Sequence, residues 1–366
     1  MTAEPNAVTR EGQPEHRPGE QALTGQPPAA QAGRAGGRRK GGRKGGRRDE
    51  HVMVPDATFT SYYGRPILKA SPWEKDIPAY LFMGGLAAGS SLLAAGGDLT
   101  GRPALRRTGR LGAITGLSLS MVALVHDLGR PARFINMLRV AKPTSPMSVG
   151  TWILTAYGPF AGLAAASELR GLLPRALRCG LPGALLQLAG RPAGIVAAGI
   201  APAVAGYTAV LLSDTATPTW HDAHGHLPFV FVGSASAAAG GLAMLAAPVA
   251  QTGPARRLAL GGAVLELVVE RQMERAMGIT AEPLHQGTAG RLMRASKLLT
   301  AAGAAGTALL AGRSRPGAAL AGAALLLGSV CTRFGVFEAG QASAKDPRYV
   351  VVPQRERLAA RAAAGS

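Results

Sequence analysis

A chain of 366 residues with 47% hydrophobic content and a formal charge of +19 is long enough for two soluble domains, so the averages decide little. The charge invites a nucleic-acid reading, but eight Lys and Arg residues crowd between Arg34 and Arg48, and most others flank apolar runs, where basic residues anchor helix ends. No nucleic-acid partner is expected, and two cysteines, Cys179 and Cys331, are too few to hold an iron–sulfur cluster with its four thiolates.

Residues 1–55 read as a disordered basic tail: Gln, Pro, Gly and charged residues predominate, and almost no large apolar side chain is there to repay the entropy of ordering. The start lacks the apolar region of a signal peptide, and the pairs Arg38-Arg39 and Arg47-Arg48 lack the run that a twin-arginine signal requires. The tail is therefore expected to stay, as a solvated cytoplasmic anchor or as a contact for anionic lipid headgroups.

Residues 56–340 read as a transmembrane helical domain. Residues 77–97 are 21 in a row without a charge, which at about 1.5 Å per residue matches a hydrocarbon core of roughly 30 Å. Further spans are predicted over 111–126, 148–166, 193–213 and 227–250. A sixth, 255–273, contains Glu266, Glu270 and Arg271, and two short ones follow over 298–311 and 316–331. An apolar patch at 181–188 is too short to span and is expected along the interface. Residues 341–366 form a C-terminal tail. The fold class is an all-α integral membrane protein, a bundle of about eight transmembrane helices. Small residues fill these runs and aromatics make up only 5% of the chain, a composition that lets helix backbones approach closely in lipid.

An even number of spans puts both termini on one side of the membrane, with the loops after the second, fourth and sixth spans. This is called the N side. The basic tail makes it the cytoplasmic side of a cell (inner or plasma) membrane, although arginines after the first and third spans pull the other way.

Three stretches carry a specific resemblance: WEKDIPAYLFMGGLAAGSSLL at 73–93, HDLGRPARFINMLRVAKPTSPMSVGTWIL at 126–154 and YTAVLLSDTATPTWHDAHGHLPFVF at 207–231. With RFGVFEAGQASAKDP at 333–347, they resemble the NrfD family, the membrane subunits of polysulfide reductase and related complex iron–sulfur molybdoenzymes. The resemblance implies two four-helix halves and electron exchange between a quinone pool, menaquinone or ubiquinone, and a docked partner. That partner is a ferredoxin-like four-cluster iron–sulfur subunit, with a molybdopterin catalytic subunit beyond it. The substrate of such a complex and the direction of electron flow lie outside this chain.

His126 and Asp127 close the second span and Arg130 follows, so a titratable pair and a fixed cation meet at one membrane boundary. Two readings stand. Reducing a quinone takes two electrons and two protons, and a His/Asp pair can hydrogen-bond its oxygen and relay a proton. Alternatively, Asp127 caps the next segment and pairs with Arg130 to hold a turn. The resemblance favours the first and adds Tyr80 and Tyr207, which match motif positions, as quinone hydrogen-bond donors. Topology puts both on the N side with Trp73, and the loop carrying Asp214, Trp220, His221 and Asp222 follows there, as a functional face or a solvated loop.

Glu266 is the one carboxylate well inside an apolar run, and an ionisable group at that depth costs about 3 kcal/mol on insertion scales. It either carries protons or pairs with Arg271 or another arginine. His221, His224 and His226 lack the Cys or carboxylate partners of a metal site. Bis-His haem needs histidines inside facing helices, and His126 alone is in or beside one, so no haem is expected. A secondary transporter, with its Gly/Pro-interrupted helices and buried carboxylate, and a passive membrane anchor that has lost its quinone site are the competing functions.

Overall fold

The computed structural model describes residues 66–130, 132–172, 174, 178 and 180–364, and the chain separates into two units, Met1–Pro66 and Ile67–Ser366. The expected disorder of residues 1–55, the Arg34–Arg48 tract and Cys179 lie outside the described residues.

Among the described residues there are helices and no strand. The long ones are α1 (Asp76–Leu99), α2 (Pro103–Asp127), α4 (Pro146–Glu168), α5 (Gly180–Ser213), α7 (Leu227–Ala246), α8 (Gly253–Met277), α9 (Gly287–Leu309) and α10 (Arg315–Lys345). Shorter helices α3 (Arg133–Leu138) and α6 (Pro218–Asp222) sit in N-side connections, and α11 (Arg348–Ala364) follows α10. Six of these helices, α1, α2, α4, α5, α7 and α10, are long and apolar enough to cross a membrane.

Proline sets many of the starts. α2, α4, α6, α7, α8 and α10 carry one at the first or second position, where its fixed φ suits the helix and its missing N–H costs nothing. Ser314 also caps α10 by accepting a hydrogen bond from the Gly317 N–H. Inside α5, Pro192 and Pro202 do not break the helix, so the patch at 181–188 runs straight into the span instead of lying apart along the interface. α9 and α10 likewise extend well beyond the predicted 298–311 and 316–331. Arg291, Arg294, Arg333 and Glu338 interrupt the apolar runs there without ending the helices.

α1 packs on α2, α5 and α7, α4 on α5, α8 and α10 on α7, and α9 on α10. Small residues bring the backbones together. A Cβ on Gly89 would come 2.8 Å from the Ala235 carbonyl oxygen, and one on Gly322 would come 2.5 Å from that of Gly241. Large apolar side chains point outward instead, including Val122, Phe160, Val196, Leu298 and Leu320. On α8 the pattern is inverted relative to a soluble helix: Val264 and Val268 are exposed while Glu266 and Glu270 are buried.

Candidate functional site

At the N side, aromatic packing ties three segments together. Trp220 of α6 stacks on Trp73 with ring centroids 6.0 Å apart, lies 5.6 Å from Phe337 of α10, and donates from Nε1 to the Val336 carbonyl at 2.8 Å. Gln341 of α10 donates from Nε2 to the carbonyls of Ser71 and Trp73. Trp220 is fully buried, because Gly340 leaves room for its ring, and Asp222 accepts from the Thr280 hydroxyl at 2.8 Å. These contacts pin the segment entering α1, and so the position of Asp76.

Asp76 meets the end of α2. Its carboxylate lies 2.6 Å from Nδ1 of His126, whose side chain is largely exposed. Asp127 is half-buried beside them, against the backbone of Glu74. Gly129, with φ +66°, ends α2 in the left-handed conformation that glycine adopts without strain, and Arg130 is exposed just beyond it. The ion pair at this boundary therefore joins His126 to Asp76, and among the described residues Asp127 makes none with Arg130.

Tyr80 lies one turn further along α1 than Asp76, which is about 6 Å deeper. It is buried, and so is Tyr207 of α5, both in one apolar cluster with Leu117, Tyr157 and Val204. The Tyr207 hydroxyl is buried without a hydrogen-bond partner, although most buried polar groups have one. Gly150 of α4 accommodates the Tyr207 ring: a Cβ there would stand 2.2 Å from it.

Residues 68–259 match a family model described as polysulphide reductase, NrfD. The chain belongs to the NrfD family. Its members are membrane subunits of oxidoreductases that work within redox enzyme complexes, and this NrfD chain is a multi-pass membrane protein. Comparison with curated proteins finds no match. The matched region contains Tyr80, His126, Asp127, Arg130 and Tyr207, and it stops near the start of α8, before Glu266.

Glu266 is distant from the α1–α2 boundary in another sense too, since its neighbours come from α7, α9 and α10. Its Oε1 accepts from the Thr332 hydroxyl at 2.6 Å, and Thr332 also hydrogen-bonds Ser296. Ser234 and Arg333 face the same carboxylate. Arg271 is exposed and takes no part. The arginine that matters is Arg333, fully buried, which donates to the Phe231 carbonyl at 2.8 Å and lies 3.8 Å from the centre of the Phe231 ring. Among the described residues, no group of three His, Cys, Asp or Glu side chains is arranged to hold a metal ion.

Asp76 and Arg333 are the residues that sequence reasoning passed over. Both stood inside quoted motifs, WEKDIPAY and RFGVFEAG, as charges just outside a predicted span.

Proposed function

We propose that this NrfD chain is the quinone-interacting subunit of its complex, passing electrons between the membrane quinone pool and a four-cluster iron–sulfur partner, with a molybdopterin enzyme beyond. The observation that carries the reading is His126 bonded to Asp76 beside Asp127, one helical turn from Tyr80 in the apolar cluster that also buries the unpartnered Tyr207 hydroxyl.

The fit to a quinone rests on that hydroxyl. A buried O–H with no acceptor suits a carbonyl oxygen, and the apolar side chains around it suit the ring and tail. A quinone supplies two-electron chemistry that needs protons at its oxygens. His126, held by Asp76 through Nδ1, offers Nε2 to that chemistry. Asp127 takes or gives a proton toward the N-side water, and Arg130 adds a fixed positive charge at the same boundary. Tyr80 and Tyr207 orient the ring, and Glu266 serves as a proton carrier in the other half of the bundle. No haem or iron–sulfur cluster belongs to the chain in this reading, so electrons pass directly to the partner.

All eight long helices cross the membrane in the same reading, as two four-helix halves. α8 supports it, because outward valines and inward carboxylates are the arrangement lipid requires. The N side, with both termini, is cytoplasmic and docks the partner. The test is Asp127→Asn in the assembled complex: quinone turnover falls while insertion and partner binding persist. Full turnover would return this boundary to a structural turn.

A further inference from the structure

Three glutamates stand one turn apart on one face of α8. Glu274 is nearest the N side, Glu270 is one turn deeper and Glu266 one turn deeper again, and the last two are only 1% exposed. Lys297 of α9 bridges the upper pair, with Nζ 2.7 Å from Glu274 and 3.6 Å from Glu270. His285, half exposed at the N side, lies 3.9 Å from Glu274. Below Glu270 the ladder continues through Glu266 into the Thr332–Ser296 and Ser234–Ser329 hydroxyl pairs.

Several polar atoms here make no hydrogen bond to protein: both Glu270 oxygens, although Lys297 stands 3.6 Å from one of them, and Glu266 Oε2 and Arg333 Nε and Nη1. Leaving so many strong donors and acceptors dry would cost several kcal/mol, and buried water commonly fills such places. No carboxylate continues the ladder below: past Glu266 toward the far side, α8 buries Gly262, Ala259 and Ala255 against α7, α9 adds only the buried hydroxyls of Thr300 and Thr307, and among the described residues Glu266, Glu270 and Arg333 are the buried charged side chains of α7–α10. The guanidinium of Arg333 approaches Gly85 of α1, the helix that carries Asp76 and Tyr80.

We propose that the Glu274–Glu270–Glu266 face of α8 is a hydrated proton-uptake branch that opens only at the N side, beside Lys297 and His285, and ends at Glu266. A proton from N-side water enters at Glu274, exchanges through Glu270 and is held on Glu266, and it leaves by the same route. Arg333, fixed by Phe231, sets the charge that Glu266 balances at the seam with α1. The proposal rests on Glu266 as the proton carrier of the proposed function and adds its route, its entrance and its dead end.

Infrared difference spectroscopy on the full chain in liposomes tests it, reading the C=O stretch of protonated carboxyls after a pH change and after exchange into deuterium oxide. Arg333 and Glu270 face Glu266, while Lys297 and Glu274 face Glu270, so each carboxyl signal is assigned by its own Glu→Gln variant. A band that Glu266→Gln removes is expected, and Glu270→Gln should slow its exchange by roughly a hundredfold, the scale of a lost proton-transfer group. No Glu266-dependent band at any pH, or unchanged exchange in Glu270→Gln, overturns the branch. If Glu270→Gln does not fold, dicyclohexylcarbodiimide decides on the wild-type chain: an adduct on Glu266 or Glu270 supports the branch, and labelling of neither refutes it. All these signals come from the resting chain without quinone, so their failure leaves the α1–α2 site standing. Loss of that site leaves them intact.

Discussion

A histidine at an exposed helix end rotates freely and titrates near its ordinary value, which makes a poor relay. His126 differs because Asp76, fifty residues earlier, holds its Nδ1 at 2.6 Å. A carboxylate there favours the tautomer with the proton on Nδ1 and leaves Nε2 to accept one. Asp76→Asn should therefore lower quinone turnover by roughly tenfold or more without releasing the partner, measured as donor-to-quinone rate in the purified complex. An unchanged rate would mean that the pair only pins α1 to α2. His126→Phe removes a hydrogen-bond partner from the same place and should raise the quinone KM as well. His126 and Asp127 were legible in the sequence because titratable groups at a span boundary stand out. Asp76 was not, since an acidic residue at a helix start is ordinarily just a favourable dipole contact.

Helix ends were the harder reading at the scale of elements. Charge-free runs located α1, α4 and α7 closely, but α10 was predicted to end at residue 331, before Arg333, and it continues to Lys345. An arginine inside a span looks like an exit from the membrane until its partner is known, and that partner is the Phe231 carbonyl, 102 positions away. The α10 extension matters because it brings Gly340 under the Trp220 ring, where an added Cβ would stand 1.9 Å from Cε2. Gly340→Ala should destabilise the N-side packing by about 1–3 kcal/mol, the range for overfilled cores. Thermal unfolding in detergent reads this as a lowered midpoint, and an unchanged midpoint would show that Trp220 can move aside. The inverted face of α8 was half legible: Glu266 announced itself by depth, whereas its hydroxyl and arginine neighbours come from helices remote in sequence.

Over the whole molecule, hydropathy was a good guide to an all-helical membrane bundle and the three quoted motifs to the family, because both signals are local. Which charged groups would meet was not local, and only the packing of α1 on α2 and of α8 on α7 and α9, with Thr332 of α10 reaching Glu266, decided it. The proposed eight crossings put the two termini on one side. A reporter fused to Ser366 should therefore be active in the cytoplasm, and activity confined to the periplasm would place the docking face outside. The proposed electron route depends on that face being next to His126, Asp76 and Asp127. The most direct measurement is donor-to-quinone turnover by the assembled complex carrying Asp127→Asn, with insertion and partner binding measured in parallel. The amide keeps the size and much of the hydrogen bonding of the carboxylate but cannot take up a proton. Turnover should fall about a hundredfold or more with assembly intact. Full turnover in an intact complex would contradict the quinone site at the α1–α2 boundary.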